Sequence, residues 1–120
     1  MKKAEKNFYV LAHNIRSLHN VGSIFRTADA LGVGKIFLTG YTGTPKNPIH
    51  AEKISKVALG AETWLPWEYH KSPYRLIKKF QEQKIKINQV EEGTQFGSEI
   101  DSKIELSAGD YIEAIILTQK

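Results

Sequence analysis

The 120-residue sequence contains no cysteine. That rules out a disulfide framework and any thiolate-ligated metal centre, and fits a reducing compartment as well as any other. No stretch approaches the roughly 18 apolar residues that a membrane helix requires. The opening Met-Lys-Lys-Ala-Glu-Lys is charged with no apolar run behind it, so neither a span nor a secretion signal is expected, and the chain is expected to be cytoplasmic. The histidines are scattered and His50 has no partner at ligand spacing, so no metal site is expected. There is no G-x-G-x-x-G dinucleotide pattern, internal repeat, low-complexity tract or dividing linker. A single domain over 1–120 is expected, near the lower size limit for a parallel sheet covered on both faces.

What is present is lopsided charge. The net charge is +4, but residues 1–90 carry 15 Lys/Arg against 6 Asp/Glu, an excess of +9. Residues 91–120 carry 2 against 7, or −5. A basic body suits a polyanion, because each phosphate it neutralises releases counterions. It equally suits a surface that only keeps a small protein in solution.

The chain is organised around Asn14–Gly40. An extended segment, Phe8 to Ala12, feeds a polar loop, Asn14-Ile15-Arg16-Ser17-Leu18-His19-Asn20, and a helix is expected to start at Asn20 as its N-cap. Val21, Ile24, Phe25, Ala28 and Leu31 recur at helical spacing, and Gly32 is expected to end the helix in a left-handed conformation. Lys35 to Thr39 then reads as a buried strand. This strand–loop–helix–strand unit predicts an α/β fold with a mostly parallel sheet.

The loop collects arginine, asparagine and histidine at a helix start, where free amides and the dipole favour an anion. Loop amides and Arg16 are expected to hold phosphate oxygens, and Gly22 is expected to let a ligand approach the backbone. Arg26, taken as about one turn into the helix, is expected to reach back over the loop toward a sugar. A plainer role fits the same residues, with Asn20 capping and the arginines solvating a surface.

The order N-I-R-S-x-x-N-V-G-S-I-F-R-T-A-D-A-L-G-V resembles the first motif of the SpoU-type RNA ribose 2′-O-methyltransferases of the SPOUT superfamily. Asn14, Arg16, Asn20, Gly22, Arg26, Thr27 and Gly32 fall where that motif has them. The likeness continues through Pro45, Lys53-Ile54-Ser55-Lys56, Ala58-Leu59-Gly60-Ala61-Glu62 and Trp64-Leu65-Pro66-Trp67, covering about Asn7 to Val90. It implies the N-terminal part of the α/β-knot fold, with a parallel sheet of about five strands flanked by helices. It also implies methyl transfer from S-adenosylmethionine to a ribose 2′-hydroxyl of tRNA or rRNA, by a homodimer. Arg26 would activate the hydroxyl and Asn20 help build the site; Asn14, Arg16, Ser17, Gly22 and Lys46 would face RNA. The family's Gly-Asn-Glu and Ser-Leu-Asn motifs, which make the cofactor pocket, are not in this sequence; Thr118-Gln119-Lys120 follows the strand where the first should stand. The chain therefore reads as the RNA-facing part of such an enzyme, truncated at its C-terminal end. A non-catalytic RNA-binding remnant, or a nucleotide-binding domain unrelated to RNA, are the alternatives.

Elsewhere, Gly40 to Pro48 is expected to be a loop carrying Tyr41 and Lys46, followed by a helix from His50 to Leu59. Trp64 and Trp67 are expected to be core residues of a strand over Thr63–Tyr69. Ser72-Pro73 is expected to open a helix with Tyr74, Ile77 and Phe80 on its inner face. A strand over Ile85–Val90 and a last strand over Tyr111–Thr118 complete the reading. That last strand is expected to leave apolar surface uncovered.

Overall fold

The structure, a computed structural model, describes residues 8–92 and 112–119. The elements are β1 (Phe8–His13), α1 (Leu18–Ala30), β2 (Lys35–Thr39), α2 (Pro48–Ala58), α3 (Ala61–Trp64), β3 (Trp67–His70), α4 (Pro73–Glu82), β4 (Lys86–Glu92) and β5 (Glu113–Gln119). They form one five-stranded sheet in the order β3-β2-β1-β5-β4, every pair parallel, with Leu11 of β1 opposite Phe37 on one side and Ile116 on the other. The expected α/β class with a parallel sheet is what is found.

Alternation along the strands divides the core in two. Val10, Ala12, Ile36, Leu38, Ile115 and Leu117 turn to one face, where α1, α2 and α3 supply Val21, Ile24, Phe25, Ala28, Ile54, Ala58 and Ala61. Leu11, Phe37, Ala114 and Ile116 turn to the other, under Leu76 and Phe80 of α4. The central strands are apolar on both faces because both are covered, as parallel sheets require. That corrects the expectation for the last strand: β5 lies between β1 and β4, and Glu113 to Leu117 are buried.

Several boundaries move for local reasons. α1 starts three residues earlier than expected, because Ser17 is its N-cap, with extended backbone (ψ 121°) and its Oγ accepting from Asn20 N at 3.1 Å. Asn20 thus sits inside the first turn. Gly32 behaves as expected, at φ +76° immediately after the Leu31 cap. α2 also starts early, since Asn47 caps it by accepting from Ile49 N and His50 N, with Pro48 as first helical residue. The same cap-then-proline signature opens α4 at Ser72-Pro73, as expected.

Two aromatics leave the core positions assigned to them. Trp64 falls on the short helix α3, is 62% exposed, and donates from Nε1 to Asp29 Oδ1 at 2.8 Å. Tyr74 is 74% exposed, leaving Pro73, Leu76 and Phe80 as the buried face of α4. Between β4 and β5 the sequence suggests a loop over Gly93–Ser98, weak strand alternation over Ile100–Leu106 and a turn at Ser107–Asp110; these lie outside the described residues.

Candidate functional site

The carboxyl ends of β1, β2 and β5 meet around the loop from Asn14 to Ser17. Asn14 enters it at φ +55°, donates its amide to Thr39 O at 3.2 Å, and accepts from Tyr41 N through Oδ1 at 3.0 Å. A Cβ at Gly40, itself at φ +68°, would lie 2.0 Å from that same oxygen, so only glycine allows the two loops to close on each other. Buried Thr42 ties them further: its Oγ1 accepts from Ile15 N at 3.0 Å and donates to Ala12 O at 3.2 Å. From the end of β5, Gln119 Oε1 accepts from Arg16 N at 2.8 Å and Ser17 N at 3.3 Å.

These bonds correct one expectation. The amides of Asn14, Ile15, Arg16, Ser17 and Asn20 are engaged within the chain, so an anion at this loop meets side chains rather than a ring of free backbone donors. The side chains are available. Exposed Arg16 donates from Nε to Tyr41 Oη at 3.2 Å, its guanidinium carbon 5.9 Å from the ring centroid. With His19, Lys53 and Lys56 it lines a groove of about 410 Å³ between the start of α1 and the flank of α2. Among the described residues, no acidic side chain lines that groove.

Arg26 stands elsewhere than expected. It is eight residues beyond Leu18, about 12 Å along the helix axis, so it lies two turns in rather than one. It is exposed and makes no hydrogen bond or ion pair with any described residue. Seven residues from His19, it falls on the same stripe of α1 and extends the basic groove along the helix. Asn20 and Arg26 are about 120° apart around the axis, on different faces of α1. Lys46, exposed, lines a separate cleft beyond Tyr41.

Two titrating groups are displaced from their ordinary values. Burial pushes the His13 ring below 6.5, and its Nδ1 lies 2.9 Å from Thr39 Oγ1. Glu68 on β3 is held below the usual carboxylate range by hydrogen bonds from His70 and then Lys35.

A model of the SpoU rRNA methylase family matches residues 7–115. The chain belongs to the SpoU rRNA methylase family. Its fold is similar to the A. aeolicus TrmH/SpoU tRNA modifying enzyme, at a TM-score of 0.67 and 18% identity over 99% of this chain and 55% of that one. It is similar to the SpoU methyltransferase AviRb from Streptomyces viridochromogenes, solved in complex with AdoMet, at 0.65 and 20% over 98% and 43%. It is similar to an RNA 2′-O ribose methyltransferase at 0.60 and 12% over 98% and 42%. The chain spans about half the length of these relatives. Comparison with curated proteins by sequence gives no match.

Within this SpoU-family chain, Gly22 has a different use from the one expected. A Cβ there would meet Ile54 O at 2.7 Å and Val57 Cβ at 2.8 Å, so the glycine lets α1 and α2 pack closely rather than admitting a ligand. Thr42 and Gln119 were not singled out by the sequence. Their roles depend on which strands become neighbours, and no local pattern marks that. As for S-adenosylmethionine, the two open clefts take their lining from α1, α2, β3 and the loops after β1 and β2, with no residue from β4 or β5. At the end of β5 the Gln119 amide oxygen is already committed to the Arg16 loop.

Proposed function

We propose that this chain is the RNA-facing part of a SpoU-family ribose 2′-O-methyltransferase acting on tRNA or rRNA, with S-adenosylmethionine as methyl donor. The observation that carries it is the groove of Arg16, His19, Lys53 and Lys56, with no acidic lining among the described residues and continued by Arg26 along α1, at the carboxyl end of the parallel sheet. Arg16 holds a backbone phosphate through charge-assisted hydrogen bonds. Arg26 stands farther along the strand of RNA, orients a ribose 2′-hydroxyl, and favours its deprotonated form by its positive charge. Ser17 and Asn14 keep the loop in shape; Asn20 completes the first turn. A homodimer in the cytoplasm is what the family resemblance implies for this chain.

A second reading, a non-catalytic RNA-binding member, is favoured by the engagement of Gln119 with the Arg16 loop. Both readings require RNA binding, and salt dependence tests it. Neutralising about four phosphates gives a slope of log Kobs against log salt of about −3. A tRNA titration with a slope near zero contradicts both.

A further inference from the structure

Beyond Tyr41, the loop after β2 and the first turn of α2 form a second open cleft of about 480 Å³, within the range of about 300–1,000 Å³ typical of small-ligand sites. Its walls are aromatic: Tyr41 is 57% exposed, Tyr69 44%, and Trp67 is half-buried. Both phenol oxygens are fixed. Tyr69 Oη donates to Gly40 O at 2.6 Å, and Tyr41 Oη accepts from Arg16 Nε, so the rings are held in place. Lys46 supplies positive charge, and among the described residues no acidic side chain lines the cleft.

One atom there is unexplained by the fold. His50, at the start of α2, lines the cleft, and its Nδ1 is buried with no hydrogen-bond partner among the described residues. Buried ring nitrogens ordinarily have a partner. A Cβ at position 43 would stand 2.4 Å from Leu18 Cδ2 and 3.1 Å from that nitrogen, so buried Gly43 and Leu18 close it off from the open cleft.

We infer that this cleft takes an unstacked base of the bound RNA, stacked on the aromatic walls with its phosphate beside Lys46. The inference rests on the RNA-binding reading and gives it a base subsite. Stacking on aromatic rings is how proteins hold bases splayed out of single strands, and it tolerates sequence because every base has a π-face. Continuity favours RNA over a free metabolite. Arg16 lines the basic groove and is bonded to Tyr41 on the wall of this cleft, so a backbone in the groove delivers its next base across Tyr41.

The test uses the full chain and two single-stranded RNA oligonucleotides of equal length and charge, one complete and one abasic, followed by fluorescence anisotropy. The complete strand binds about tenfold tighter, the lower part of the range for stacking one base. Tyr41→Ala removes most of that difference, whereas Tyr41→Phe, which keeps the ring, retains it. In Trp64→Phe, where Trp67 is the remaining tryptophan, the complete strand quenches fluorescence and the abasic strand does not. If Tyr41→Ala fails to fold, the wild-type titrations and the Trp67 signal still decide. Equal, tight binding of the two strands overturns the base subsite and leaves RNA binding standing. Failure of both strands to bind overturns both.

Discussion

Gly22→Ala separates two uses of a glycine in a helix. At an exposed interior position the change gains about 1 kcal/mol, because alanine loses less conformational freedom on folding. Here the added methyl lies 2.7 Å from Ile54 O, 2.8 Å from Val57 Cβ and 3.2 Å from Ala58 N. Two of those atoms are backbone of α2 and cannot rotate aside. α2 has to withdraw, and it carries the buried Ile54 and Ala58 with it. Overpacking of this kind costs about 1–3 kcal/mol, and with rigid neighbours the upper half applies. Subtracting the propensity gain leaves a net loss of about 1–2 kcal/mol, or several degrees in Tm for a chain of this size. Urea denaturation followed by circular dichroism measures it as a lower midpoint at unchanged slope. A midpoint that rises, or RNA affinity that falls while stability holds, would show that the glycine serves a ligand and not the α1–α2 contact.

Thr42→Val keeps the shape and removes the hydroxyl, stranding the buried Ile15 amide; a loss of about 1–3 kcal/mol is expected in the same assay, and an unchanged midpoint contradicts the tether. Burial lowers the His13 pKa in the folded state, so the native chain binds that proton less readily than the unfolded one. Its contribution is complete above about pH 6.5 and is lost as pH falls through the lower folded value; His13→Gln shows a smaller drop in urea midpoint between about pH 7.5 and about pH 5 than wild type, and an equal drop refutes this. Isothermal titration of the full chain with S-adenosylmethionine gives no micromolar binding, and bulk tRNA gains no methyl groups above a no-protein control; either signal would show that the Gly-Asn-Glu and Ser-Leu-Asn motifs are dispensable.

Much of the fold was legible because its signals are local. Period-two and period-3.6 apolar patterns placed β1, α1 and β2, and Gly32 marked the end of α1. Misplacements arose where two local signals competed. Ser17 and Asn20 are both good caps, and the earlier one prevailed because Leu18 packs against the core as part of the helix. Asn47-Pro48 was taken as loop, although it carries the signature that correctly placed α4. Trp64 has the character of a core residue, but α3 turns it outward to Asp29. The site was legible as a set of residue types and not as an arrangement. Arg16 and its loop fell where expected, while the tethers from Thr42 and Gln119 come from segments 27 and about 100 residues away. Such pairings are set by sheet order, which no stretch of sequence announces.

The central claim is that the Arg16 loop and the α1 stripe ending at Arg26 form an RNA-binding surface. Filter binding of tRNA to Arg16→Ala/Arg26→Ala at low salt, with circular dichroism confirming the fold, tests it most directly. If each arginine makes a charge-assisted contact, affinity falls by about 3 kcal/mol, roughly 100-fold, and the salt slope becomes shallower. Affinity and slope equal to wild type in a folded double variant would contradict the account.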